Sequence, residues 1–99
     1  MKYKTENVNT GGTSLQGEIT CDYNKLVELF GEPSGSDGYK SDAEWEIEFE
    51  DGVVATIYNW KDGKNYCGED EGLDVEDIRN WHVGGFSKTA FTNILKVIS

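Results

Sequence analysis

Long apolar runs, basic residues, proline, histidine and cysteine are all scarce in this chain of 99 residues. No stretch approaches the roughly 20 apolar residues that a membrane-spanning helix requires. No signal-peptide apolar core follows Met1 either, so the expectation is a soluble, cytoplasmic protein. Cys21 and Cys67 stand far outside CxxC or metal-ligand spacing. Two free thiols in a reducing compartment is the first reading, and a single disulfide the other. His82 is the one histidine, and no serine or cysteine can be assigned to it as a nucleophile partner. Catalysis is not expected, nor is a cofactor or a metal. The shortage of positive charge says most: Lys and Arg number 9 against 19 Asp and Glu, for a net charge of -10. Such a field repels nucleic acid and anionic membranes and favours a basic partner. Direct DNA or RNA binding is therefore excluded from the expected functions.

What the chain does have is concentrated in residues 42–60, DAEWEIEFEDGVVATIYNW. Ala43, Trp45, Ile47 and Phe49 alternate with Glu44, Glu46, Glu48 and Glu50, the period of a strand with one buried face. Glu50-Asp51-Gly52 reads as a three-residue hairpin loop with Gly52 in the left-handed position. That loop pairs Phe49 with Val53, Ile47 with Ala55 and Trp45 with Ile57, so the apolar sets coincide. A two-residue Asp51-Gly52 turn would set the glutamates opposite Val53, Ala55 and Ile57 instead. With the first register, Glu44, Glu46 and Glu48 share the outer face with Val54, Thr56, Tyr58 and Trp60. The acidic excess lies almost wholly between Asp42 and Asp77, where Lys61 and Lys64 are the cations.

The rest of the chain is punctuated clearly. Residues 1–13 are a polar tail or, around Tyr3 and Val8, an edge strand. Residues 14–20 form a short strand interrupted by Gly17. Asp22 suits the N-cap of a helix over residues 23–30, which Gly31 ends and Pro33 follows. Residues 79–84 read as a further strand with Trp81 and Val83 on one face. Gly84-Gly85 reads as a strand-to-helix turn, and Ser87 as the cap of a last helix. In that helix Phe91, Ile94, Leu95 and Ile98 recur at helical spacing. One α+β domain over residues 14–99 is expected: a small antiparallel sheet of three to four strands with two helices packed on one face. Trp45, Ile47, Phe49, Ala55, Ile57 and Val83 should meet Leu26, Phe30, Phe91, Ile94 and Leu95.

Two further acidic features carry a plain and a functional reading. Glu69, Asp70 and Glu71 with Asp74, Glu76 and Asp77 suggest a divalent cation, but the spacing of a calcium loop is missing. A chance acidic loop is the simpler reading. The glutamate row is first of all a wet strand face that guards against edge aggregation. It is also a set of carboxylates about 6.6–6.8 Å apart, close to the interval of successive phosphates on one nucleic-acid strand.

The order helix, three strands, helix, with GGFSKTAFTNIL opening the last helix, resembles the double-stranded-RNA-binding domain. That family opens its second helix with a Gly-rich turn and a Ser-Lys-Lys segment. Ser87 and Lys88 match, whereas Thr89 replaces the second lysine and no basic cluster follows. The resemblance implies topology without the RNA-binding chemistry. The passages AEWEIEFEDGVVATIYNWK and WHVGGFSK are similar to small acidic proteins of tailed bacteriophages, over residues 26–98. That likeness implies no defined activity, but it raises one function: short acidic phage proteins block host defence or nucleic-acid enzymes. The expected partner is then a basic host protein, such as a CRISPR effector or nuclease, met by Glu44, Glu46, Glu48, Tyr58 and Trp60. A nucleotide-sequestering protein using the Gly84-Gly85 turn, and an assembly protein joined through the hairpin edge, are the other two readings.

Overall fold

Alternation in the central hairpin produces the two strands around which the molecule is built. The computed structural model describes residues 2–6, 8–33, 43–59, 67–68 and 72–99. In chain order the strands are β1 (Tyr3–Lys4), β2 (Ser14–Thr20), β3 (Glu44–Phe49), β4 (Val54–Tyr58) and β5 (Asn80–Gly85). Helix α1 (Tyr23–Phe30) follows β2, a 3-10 turn (Val75–Asp77) precedes β5, and α2 (Lys88–Ile98) follows it. All five strands join one antiparallel sheet in the order β1-β3-β4-β5-β2. The fold is therefore α+β, with five strands in place of the three or four expected. The additional pairing comes from Tyr3 and Lys4, which add an edge beside Phe49 and Glu48.

The hairpin adopts the register that buries the aromatic set. Trp45 lies opposite Ile57 and Ile47 opposite Ala55. The Phe49 amide donates to the Val53 carbonyl at 2.8 Å, and Gly52 takes φ 85° in the turn. A left-handed conformation there costs glycine nothing. Within the sheet the hairpin is interior, since β1 flanks β3 and β5 flanks β4.

One face of the sheet forms the core with both helices. Trp45, Ile47, Phe49, Ala55, Ile57, Trp81 and Val83 are buried together with Leu26, Phe30, Ala90 and Ile94. Two indoles fasten α1 at its ends. Trp81 Nε1 donates to the Cys21 carbonyl at 2.9 Å, just before the helix. Trp45 Nε1 donates to the Gly31 carbonyl at 2.7 Å, just after it. Tyr3 adds a third tie, its hydroxyl donating to the Leu29 carbonyl at 2.7 Å. Helix C-terminal carbonyls have no partner within the helix, and aromatic donors from the sheet satisfy two here.

The expected cap at Asp22 takes another form. Its backbone is extended at φ -67° and ψ 141°, as a helix start requires, but its carboxylate caps nothing. The side chain is engaged by Arg79 instead. Ser87 likewise precedes α2 without a side-chain cap. Cys21 and Cys67 are both free thiols.

Helix α2 departs from its expected phase. Ala90, Asn93 and Ile94 are buried, whereas Leu95 is 41% exposed. The cause is a polar anchor. Buried Asn93 donates from Nδ2 to Asp51 Oδ2 at 3.1 Å, tying α2 to the hairpin turn. The helix is thereby rolled so that Phe91 rests against Gly17, where an added Cβ would lie 2.7 Å from the ring. Leu95 is turned out to solvent.

Gly84 and Gly85 also differ from expectation: both belong to β5, not to a turn. A Cβ on Gly85 would overlap that of Ala90, and one on Gly84 would sit 2.5 Å from Thr56 Oγ1. Their smallness lets α2 and a β4 side chain approach the strand closely.

Candidate functional site: the outer face of the sheet

The face turned away from the helices carries the residues the sequence singled out. Every second residue of β3 points there, which places Glu44, Glu46 and Glu48 in a line, each half-buried. β4 sets Tyr58 opposite Glu44, Thr56 opposite Glu46 and Val54 opposite Glu48. β5 continues two of these rows, with His82 opposite Tyr58 and Gly84 opposite Thr56. β2 extends the first row with Glu18, opposite His82. Lys4 of β1 stands opposite Glu48 at the other edge.

Three cross-strand rows therefore compose the face, and their chemistry differs. The row Glu44-Tyr58-His82-Glu18 has a carboxylate at each end and two aromatic rings between. Since Phe49 and Val53 form a hydrogen-bonded pair, Glu44 and Tyr58 form the closer, non-hydrogen-bonded kind. The Tyr58 and His82 rings meet edge to face with centroids 5.5 Å apart. His82 Nε2 lies 3.2 Å from Glu18 Oε1. Burial raises the Tyr58 phenol above its ordinary pKa, and the negative charge of Glu44 raises it further. The hydroxyl accordingly stays protonated throughout the physiological range.

The middle row is Glu46-Thr56-Gly84, and the chain's own N-terminal segment crosses it. β1 and β2 occupy opposite edges of the sheet, while the helices cover the inner face. The segment between them that holds Thr10 reaches the outer face, which is three strands wide between these edges. The contact that marks the crossing is Thr10 Oγ1 donating to Glu46 Oε2 at 2.8 Å. The Thr13 amide and hydroxyl both donate to the Thr10 carbonyl, at 3.2 and 2.9 Å, and this turns the strap toward β2. Thr56, opposite Glu46, is 4% exposed although it sits on the nominally wet face. The glutamate line is therefore not a continuous bare surface.

The third row, Lys4-Glu48-Val54, carries its own cation. A shallow groove of about 390 Å³ opens beside it, with Lys2, Lys4, Glu48 and Glu50 in its lining. Positive and negative groups alternate there, so the groove has no strong charge preference.

Of the five residues expected to meet a partner, Glu44, Glu46, Glu48 and Tyr58 share this face. Trp60 lies outside the described residues, as do Glu69, Asp70 and Glu71 of the second acidic cluster. Asp74, Glu76 and Asp77 stand at the 3-10 turn. Among the described residues no group of His, Cys, Asp and Glu is arranged to hold a metal ion. None of the described helices is long and apolar enough to cross a membrane. Sequence reasoning missed Glu18 and Thr10. Glu18 alternates with Ile19 along residues 14–20, but nothing local reveals that β2 pairs with β5. The one sign of Thr10 is the pair of glycines after it, which lets the chain turn at Gly12 with φ 87°. No family model matches the chain, and no curated protein matches it in sequence.

Proposed function

We propose that this chain is a small acidic inhibitor of the phage type. It docks its outer sheet face on a basic, nucleic-acid-binding surface of a host defence protein, such as a CRISPR effector or nuclease, in the host cytoplasm. The observation that carries the reading is a line of glutamates on β3, each paired across to β4, in a chain of net charge -10. A paired strand needs no backbone ordering when a partner arrives, which lowers the entropic cost of binding. Their spacing of about 6.6–6.8 Å suits a groove evolved for phosphates. The crossing strap refines the contact: Thr10 donates to Glu46, with Glu44 and Tyr58 to one side of that bond and Glu48 to the other.

Neither other reading gains support from the fold. A nucleotide pocket at Gly84-Gly85 would need a loop, and both glycines lie within β5 against Thr56 and Ala90. Assembly through the hairpin edge is limited at Phe49 and Glu48, where β1 already pairs.

The test is competitive capture from a host lysate by the immobilised protein. A nucleic-acid-binding protein should be retained at low salt and released by added DNA or RNA. Retention should fall steeply with ionic strength, since exposed charges are screened. Glu44→Lys with Glu48→Lys should abolish it. Capture that survives both substitutions overturns the proposal.

A further inference from the structure

We infer that β2 is an open sheet edge that takes an extended segment of a basic partner as an added strand. The inference concerns the edge of the sheet, not the glutamate line of β3, and stands without it. Of the two edge strands, β1 spans 2 residues and β2 spans 7. A long edge presents a row of unpaired amides and carbonyls that another strand can pair.

β2 is guarded along one half and bare along the other. In the first half its register shifts between Leu15 and Gly17, the irregularity of a bulge. There Lys88 Nζ donates to the Gln16 carbonyl at 2.6 Å, and Gln16 Nε2 donates to the Gly85 carbonyl at 3.0 Å. A bulge and a lysine are devices that keep an edge from pairing. The second half has neither. The Cys21 amide donates to the Arg79 carbonyl at 2.8 Å, which makes these two a backbone-bonded pair. Antiparallel pairs alternate, so Ile19 with Trp81 is backbone-bonded, while Thr20 with Asn80 and Glu18 with His82 are not. The N–H and C=O groups of Glu18 and Thr20 consequently point away from β5. Among the described residues no backbone group bonds them on that side.

The side chains that flank these amides select the occupant. Glu18 and Thr20 are both exposed, the Glu18 side chain by 67%. Toward the bulge Leu15 is 53% exposed, and Phe86, two residues on from its partner Gly84, is 57% exposed. An antiparallel guest sets one residue opposite Thr20 and, two places on, another opposite Glu18. Its next alternate residue comes toward Leu15 and Phe86. A lysine or arginine suits the place opposite Glu18, since opposite charges on facing positions stabilise a strand pair. A large apolar residue suits the place near Leu15. A second copy of this chain is a poorer guest, because each copy carries a net charge of -10. Pairing about a twofold axis at Glu18 would also set like charges face to face. In this mode of recognition the main-chain bonds supply affinity and alternate side chains supply selectivity.

The probe is the peptide Thr-Thr-Thr-Lys-Thr-Leu-Thr, blocked at both ends and titrated into the full chain by NMR. It should bind, and the amide signals of Glu18 and Thr20 should move more than those bonded between β3 and β4. N-methylation of the lysine and of the threonine two places before it removes the donors that face β2. Affinity should then fall at least about five-fold, the lower end for two lost hydrogen bonds. N-methylation of the two threonines flanking the lysine changes size and charge identically but leaves those donors in place, so affinity should hold. Thr20→Pro puts proline where the N–H bonds nothing in the free protein, a position an edge strand tolerates, and should weaken binding too. Glu18→Gln should weaken it by removing the facing charge. If Thr20→Pro does not fold, the two methylated peptides decide. No binding, equal loss from both methylation patterns, or shifts confined to β3 would each overturn the inference. Dimerisation of the free chain that Thr20→Pro abolishes would overturn it as well, by giving the edge to a second copy.

Discussion

β3 builds both faces of the sheet from six residues taken alternately, and the two faces are held in different ways. On the inner face Trp45, Ile47 and Phe49 are each no more than 2% exposed. They are fixed by packing against both helices, by the Trp45-Trp81 contact at 5.3 Å and by the indole bond to the Gly31 carbonyl. On the outer face strand register places Glu44, Glu46 and Glu48, and Thr10 donates to Glu46. Stability is thus concentrated on one side and exchangeable chemistry on the other. A surface organised this way can change its charge without endangering the scaffold.

The severest way to break that contrast is to remove the central indole. Trp45→Ala empties a fully buried site and strands the Gly31 carbonyl at the end of α1. Aromatic-to-alanine changes in a core cost about 3–5 kcal/mol, a large part of a small domain's whole stability. Urea unfolding should show a much lower midpoint at an unchanged slope. If Glu44→Ala, one residue away, cost as much, the two faces would not differ as described.

The inner face was mostly legible in the sequence because its signals are local. Alternation placed Trp45, Ile47 and Phe49 inside, and a three-residue loop ending in Gly52 set the register with Val53, Ala55 and Ile57. Helix α1 was bounded by Asp22 and Gly31. What escaped was non-local. Leu95 satisfied the helical period and was expected inside, yet a polar residue, Asn93, took the buried position because Asp51 offers it an acceptor from another element. Hydropathy cannot register such a bond. Gly84-Gly85 carried the signature of a turn, whereas the close approach of Ala90 and Thr56 is what requires them. On the outer face Glu44, Glu46, Glu48 and Tyr58 were readable, but their covering was not. The segment between two strands at opposite edges reaches this face at Thr10, and edge placement leaves no periodic trace.

The tie between Asp51 and Asn93 sharpens the comparison, because it reaches from the wet turn into the helical layer. Asp51 accepts from the Val53 amide at 3.0 Å and from Asn93 at 3.1 Å. These bonds, the Val53 amide foremost, hold its carboxyl below the usual carboxylate range. A depressed folded-state pKa means that the unfolded chain takes up the proton first. The contribution is therefore complete above the ordinary Asp range and is lost as pH falls through the lowered value. Asp51→Asn should accordingly lower the melting temperature at neutral pH, by less than the loss of Trp45. The gap to the unsubstituted protein should close as the solution is acidified below that range. A gap that stays constant on acidification would show that the charge of Asp51 contributes nothing.

The smallest effect is expected where the outer face is covered by the chain itself. Thr10→Val keeps the shape of the side chain and removes the hydroxyl that donates to Glu46. A partly exposed side-chain bond of this kind contributes about 0.5–1.5 kcal/mol, so the midpoint of unfolding should move only slightly. Hydrogen exchange should report the change more clearly. The Thr13 amide, bonded to the Thr10 carbonyl, should lose protection as the strap lifts, while amides bonded between β3 and β4 keep theirs. Local openings of this type draw on a segment's own contacts and not on the global stability. Equal loss of protection in the strap and in β3 would mean that the strap is part of the fold's cooperative unit. The outer face would then be held as firmly as the inner one, and Glu46 would belong to the scaffold.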